Sequence, residues 1–274
     1  MGHPDEDKRE APQAAADEAP PYDDQDDSLI APPPYTDPEG RVVAPAVKLF
    51  PVSMNGYYKW KLSRTFHLGP SKDHPLFAVE THTGGITGKK PTIILRNGPT
   101  ESDPILGTAG GANFMQTKYI ITLPGRQGPD GKDVTVTMKA PTITRSSAPL
   151  SMPVGPNGET EEFEWRSSRG DDIKELAQGS SWGYKLVRLQ GPNTKSGGSS
   201  TAAQSSGFTS DGKEVVALIA LNATWSWTKA IRFAFMGSGL SGTMGEAWEI
   251  AALTSALQLY YVYVVASAAS AGAA

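Results

Sequence analysis

Pro32-Pro33-Pro34-Tyr35 is the segment of this chain whose chemistry is most clearly written in its residue types. Consecutive prolines hold φ near the polyproline II value, so the segment is already shaped to pack on the aromatic groove of a WW domain. A tyrosine at the fourth position would fill the adjoining pocket. Pro32, Pro33 and Tyr35 are therefore the candidate WW-ligand residues, and a WW-domain protein is the expected partner. Ala19-Pro20-Pro21-Tyr22 lacks the spacer residue and is an imperfect copy.

Catalytic chemistry has much less to draw on. There is no cysteine, which removes disulfides, thiolate metal sites and cysteine nucleophiles. Of the four histidines, His3 lies far from the rest. His67, His74 and His82 are close in sequence, but a hairpin pairing Leu68 with Leu76 would set His67 opposite Phe77 and His82 well along the strand, so the three would not converge on a metal. No Gly-x-Ser-x-Gly elbow occurs, and Gly237-Ser238-Gly239 reads as a loop leading into a helix. Alternation puts Glu162 and Glu164 on one strand face with Arg166, a solvated face, with Phe163 and Trp165 turned inward. The expectation is a non-enzyme without catalytic residues, metal or cofactor.

What must position any binding surface is a series of short strands. Tyr58, Trp60, Leu62, Phe66 and Leu68 alternate with polar neighbours from Tyr57 onward, the period-2 signature of a half-buried strand. Arg64 interrupts its apolar face; buried there, it would need a carboxylate, and Glu80 is the candidate. Gly69-Pro70-Ser71-Lys72-Asp73 supplies a turn, and 76–83 the returning strand. Further strands are expected at 92–97, 105–109, 119–123, 134–139, 162–166, 184–189, 215–221 and 231–236, between Gly, Pro, Asn and Asp clusters. That spacing belongs to an all-β sandwich or barrel. The Gly/Ser-rich stretch 191–212 reads as a flexible loop within the domain.

The last segment changes character. Thr243 and Glu246 have capping-box spacing, so a helix should start there. From Ile250 onward there is no charged residue, and the stretch to about Ala268 is apolar on every face. Such a helix must be enclosed by protein or by lipid. Length permits a transmembrane span over 247–270, whereas Tyr260, Tyr261, Tyr263 and Gln258 at mid-span argue for enclosure by protein.

Charge divides the chain unevenly. Residues 1–40 hold twelve acidic and two basic side chains, leaving 17 acidic and 23 basic in the remainder. Residues 1–45 are too poor in large apolar side chains to fold and are expected to be a disordered acidic, Pro-rich tail; residues 46–274 form the folded domain. The domain's modest positive charge suits an anionic membrane lipid, with the tail as an internal competitor. Lys89 and Lys90, after Gly84-Gly85-Ile86-Thr87-Gly88, are the candidate lipid-binding pair. No nucleic-acid signature is present. The first residues have neither a basic run nor an apolar one, so the expected location is cytoplasmic, peripheral at membranes.

Taken in order, Tyr58-Lys59-Trp60-Lys61-Leu62 with Leu76-Phe77-Ala78-Val79, then Glu164-Trp165, Tyr184-Lys185-Leu186, and Gly237 to Trp248 leading into the apolar helix resemble fungal proteins of the tubby C-terminal-like superfamily. Plant LURP-one-related proteins and phospholipid scramblases belong to the same superfamily. The resemblance covers roughly residues 45 to 270 and rests on the order of these segments. It implies a closed antiparallel β-barrel, of the 12-stranded type, around a central hydrophobic C-terminal helix. It also implies a phosphoinositide or related anionic lipid as ligand, although no tubby lipid-binding motif and no scramblase cysteine run can be matched here. With the PPxY sequence, it suggests a WW-containing ubiquitin ligase as the partner.

Overall fold

Period-2 alternation underlies most of the strands in the computed structural model, which describes residues 35–36, 42–43, 49–58, 64–82, 91–113, 115–125, 131–142, 146–155, 157–179, 182–190, 207–221 and 229–271. Within the N-terminal stretch expected to lack structure, β1 (Tyr35–Thr36) and β2 (Val42–Val43) form a two-residue antiparallel ladder. The other twelve strands form one closed barrel. They are β3 (Ser53–Tyr58), β4 (Thr65–Gly69), β5 (Phe77–Thr81), β6 (Ile93–Arg96), β7 (Ile105–Gly111), β8 (Lys118–Leu123), β9 (Val134–Lys139), β10 (Ser147–Val154), β11 (Glu159–Ser168), β12 (Trp182–Arg188), β13 (Val215–Leu221) and β14 (Lys229–Phe235).

Every strand pairs antiparallel with its neighbours in sequence, and β14 returns to β3, so the topology is an up-and-down meander closed on itself. Closure leaves the barrel no free edge. The thinnest ladder is β9–β10, registered through the single pair Leu150↔Met138. Pro149 and Pro153 lie in β10, and a strand short of N–H donors is compatible with a sparse ladder on one side.

The barrel is filled by its own helix. α2 (Glu246–Ala271) is 26 residues long, and its residues from Trp248 to Tyr260 are all buried. A barrel wall that is apolar inside explains why this helix is apolar all round: Ile250, Leu253 and Leu257 lie on one face and Leu259 on the opposite one, and all belong to the same buried core. Each such side chain contributes about 1.5–3 kcal/mol on burial. Small residues, Ala251, Ala252, Ser255 and Ala256, let the wall approach. At Gly107 of β7 the approach is closest, since a Cβ there would lie 2.7 Å from Thr254 Oγ1.

Outside the barrel, α1 (Asp171–Ala177) lays Ile173 on Val215, Leu218, Ala220 and Met236, which is why β13 is buried on both faces.

The structure corrects several sequence expectations. The alternating run from Tyr57 to Leu68 is not one strand: Tyr58 pairs with Phe66 and Tyr57 with His67 across the β3–β4 hairpin. Folding back at equal parity preserves the alternation, so the pattern did not reveal the reversal. Arg64 is consequently exposed before β4, and Glu80 pairs with Arg96 instead. His67 faces Ala78, one residue from the expected register. The helix does begin at the Thr243–Glu246 pair. α2 starts at Glu246, after Gly245 with φ +85°, and the Thr243 hydroxyl bonds Ser241 at 2.6 Å.

Candidate functional site

Strand direction fixes which loops share an end of the barrel. Tyr58, at the end of β3, meets Tyr260 hydroxyl to hydroxyl at 3.1 Å. The Tyr261 hydroxyl donates to the His82 carbonyl, just after β5, at 3.0 Å. Trp182, at the start of β12, packs edge-on against Tyr263 with ring centroids 4.9 Å apart. The ends of β3, β5, β7, β9, β11 and β13 and the starts of the alternate strands therefore surround the point where α2 leaves the barrel.

The two mouths have different chemistry. At the far mouth, Phe50, Phe77, Phe163, Phe235 and Trp248 form a floor of rings under the start of α2, with Phe50–Phe77 centroids 4.9 Å apart and Phe235–Trp248 centroids 5.9 Å apart. The exit mouth is lined by tyrosines. Tyr58, Tyr119 and Tyr184 come from the wall and Tyr260, Tyr261 and Tyr263 from the helix, with Trp182 between Tyr184 and Tyr263. Burial raises the pKa of Tyr58, Tyr119, Tyr184, Tyr260 and Tyr261, so all are neutral hydroxyls at physiological pH.

Beneath this collar the helix carries polar groups. Thr92 donates to Gln258 Oε1 at 2.6 Å, and Trp165 Nε1 donates to Ser255 Oγ at 2.9 Å. Both bonds cross from wall to helix and fix its rotation, because a slip would leave a buried donor or acceptor unpaired. Glu80 is nearly buried in the wall and accepts Arg96 Nε and Nη2 at 2.7 and 2.6 Å, with His82 Nε2 3.4 Å from its other oxygen.

Above the collar, α2 projects. Tyr261, Val262 and Tyr263 are half-buried, and the residues from Val264 to Ala268 are exposed. Among the described residues four large apolar side chains are exposed, and three of them are at this mouth: Val264 (38%), Val265 (45%) and Met115 (81%), the last in the β7–β8 turn. Lys118 and Lys139 are directly opposite each other on β8 and β9 at the same end, both exposed. Like charges opposed across a ladder are destabilising. Arg64 and Arg169 are exposed there too. Of the acids on this side, Asp171 and Asp172 pair with Lys174 and Lys185, and Glu80 with Arg96; Glu175 on α1 and Glu101, which accepts the Thr65 hydroxyl at 2.6 Å beside Arg64, remain.

The residues singled out from sequence fare unevenly. Pro32 and Pro33 lie outside the described residues; Tyr35 is described through its backbone, paired with Val43. Lys89 and Lys90 fall within 83–90, also outside the described residues. The histidines are not brought together: His67 Nε2 donates to the Pro99 carbonyl at 3.0 Å, His74 bonds Ser71 Oγ at 3.0 Å, and His82 faces Glu80. Phe163 and Trp165 point into the core as expected, and Glu164 binds Arg166 at 2.7 Å. Sequence reasoning missed the opposed pair Lys118 and Lys139, which becomes visible only when strand register is known. It also missed Met115, a lone apolar residue in a turn.

Comparison of the chain with family models, curated proteins and solved structures gave no match.

Proposed function

We propose that this chain is a non-enzymatic adaptor: its N-terminal segment presents Pro32-Pro33-Pro34-Tyr35 to a WW-domain protein, and its barrel recognises an anionic membrane surface. The observation that carries the membrane half is the cationic rim, above all Lys118 directly opposite Lys139, with Arg64 and Arg169 exposed at the same end. A pairing that disfavours the isolated fold is offset when an anion lies over it. Lys89 and Lys90, in the chain joining β5 to β6, would add to the same charge. The likeness to the tubby C-terminal-like superfamily points to the same ligand class, phosphoinositide or another anionic headgroup, and a WW-containing ubiquitin ligase is the partner class proposed for the tail.

A second reading uses residues 247–270 as a transmembrane tail anchor. It requires α2 to leave the barrel, which would strip Leu253, Leu257 and the wall around them of their shared burial and break the Thr92–Gln258 and Trp165–Ser255 bonds. The filled barrel favours the adaptor.

Two assays test the proposal on the full chain. Vesicle flotation should recover more protein with phosphatidylserine or phosphoinositide than with phosphatidylcholine alone, and should lose that difference at high salt. WW-domain pull-down should succeed with wild type and fail with Tyr35→Ala. Equal flotation on neutral and anionic vesicles removes the membrane half, and equal pull-down of the two proteins removes the ligand half.

A further inference from the structure

We propose that the projecting end of α2 inserts shallowly into an anionic bilayer, so that the barrel stands end-on with its tyrosine collar at the headgroup level. The inference rests on the membrane reading above and adds to it the element that enters lipid and the depth it reaches. Four observations converge. Three of the four exposed large apolar side chains among the described residues, Val264, Val265 and Met115, share the exit mouth. No residue of the sequence beyond Glu249 has a charged side chain, so no side-chain charge on the projecting turns resists leaving water. The collar below is made of tyrosines and a tryptophan, the side chains that favour a membrane–water boundary because an apolar ring and a polar tip are solvated together there. Exposed cations, Lys118, Lys139, Arg64 and Arg169, lie at the same end of the barrel.

Helix length decides the depth. α2 continues from Tyr261 to Ala271, eleven residues beyond the last buried one, or roughly 16 Å at 1.5 Å per residue. A hydrocarbon core is about 30 Å thick and needs about 20 residues to cross. The projecting part can thus enter one leaflet but not span. Two opposing terms also limit it. The last carbonyls of a helix lack intrahelical donors and cannot be buried in hydrocarbon, and their partial negative charge disfavours an anionic surface. Interfacial depth keeps those carbonyls near water, and the rim cations offset their charge.

The absence of cysteine makes the experiment clean. Val265→Cys and, as a control at the opposite mouth, Leu76→Cys are each labelled with an environment-sensitive fluorophore in the full chain. They are mixed with vesicles of phosphatidylcholine and phosphatidylserine, with or without brominated acyl chains. The proposal expects the probe at 265 to shift to the blue and to be quenched by bromine, and the probe at 76 to stay aqueous. The double variant Val264→Asp, Val265→Asp should lower the bound fraction about tenfold or more, with circular dichroism and thermal midpoint unchanged because neither side chain is in the core. Vesicle binding with an aqueous probe at 265, and with the Asp variant bound as well as wild type, overturns insertion while leaving the membrane reading in place. Failure of the wild type to bind any anionic vesicle removes both. A blue shift at 265 that depends on protein concentration and needs no vesicle would assign the projecting end to a second copy of the chain, and also overturns the proposal.

Discussion

Gly107 of β7 and Thr254 of α2 meet through a missing side chain: a Cβ on Gly107 would stand 2.7 Å from Thr254 Oγ1 and 3.1 Å from Ile250 Cγ2. The wall therefore touches the helix at a point that admits no methyl group, and the fit of α2 in the barrel can be tested there. Gly107→Ala should destabilise the protein by about 1–3 kcal/mol through overpacking. Thr254 Oγ1 is buried without a hydrogen-bond partner, so Thr254→Ala removes the obstructing atom and no bond. Denaturant unfolding of the double variant should recover at least half of the loss. No recovery would mean that the two residues do not face each other.

The polar link between Thr92 and Gln258 gives a second handle on the seating of the helix. Thr92→Val deletes the 2.6 Å donor and leaves Gln258 Oε1 buried and unpaired, at a cost of about 1–3 kcal/mol. Adding Gln258→Met removes the orphaned group as well. A double-mutant cycle should return a coupling of roughly 0.5–3 kcal/mol, with the pair less harmful than the sum of the singles. Strict additivity would contradict the contact.

Alkaline pH should loosen the collar. Burial is the first cause of the raised pKa at Tyr58, Tyr119, Tyr184, Tyr260 and Tyr261, and at Tyr260 the neighbouring Tyr58 adds to it. An unfolded tyrosine ionises near about 10, whereas these hold their protons to higher pH in the folded state. Their contribution is therefore complete below about pH 10 and is lost as pH rises toward the folded values, since the unfolded chain then binds fewer protons. The thermal midpoint should fall steadily above about pH 10. Because lysines titrate in the same range, the diagnostic comparison is with Tyr58→Phe, Tyr260→Phe, whose midpoint should fall less steeply. Parallel curves for the two proteins would count against a buried pair.

Lys118 and Lys139 should show stability and binding moving in opposite directions. Lys118→Glu replaces a cross-strand repulsion with an attraction and should raise stability by up to about 1 kcal/mol, less at high salt. The same change should weaken flotation on phosphatidylserine vesicles. A variant that binds as wild type, whatever its stability, would remove this pair from the membrane reading.

How much of this was legible in the sequence can be argued strand by strand. β8, β9 and β13 were located nearly to the residue because their alternation or apolar run is bounded by turn residues. β10 was overlooked because Pro149 and Pro153 are poor strand formers, and only closure of the barrel gives them a place beside a sparse ladder. The β3–β4 reversal was hidden because Tyr58 and Phe66 have equal parity. α1 is seven residues long, too short for a periodic signal, and exists because Ile173 finds the outer face of β13. The enclosed helix was legible from its lack of any polar face. The rim was not, because Lys118 and Lys139 are 21 positions apart and become neighbours only through register.

Hydrogen exchange along α2 tests the central claim, that one helix is both the core of the barrel and its projecting apolar end. Amides from about Leu253 to Tyr260 should exchange only through global unfolding, with or without vesicles, while those from Val264 onward should exchange fast in solution and become protected when phosphatidylserine vesicles are added. Uniformly fast exchange along α2 in the absence of lipid, or protection of residues 253–260 that appears only with lipid, would contradict it.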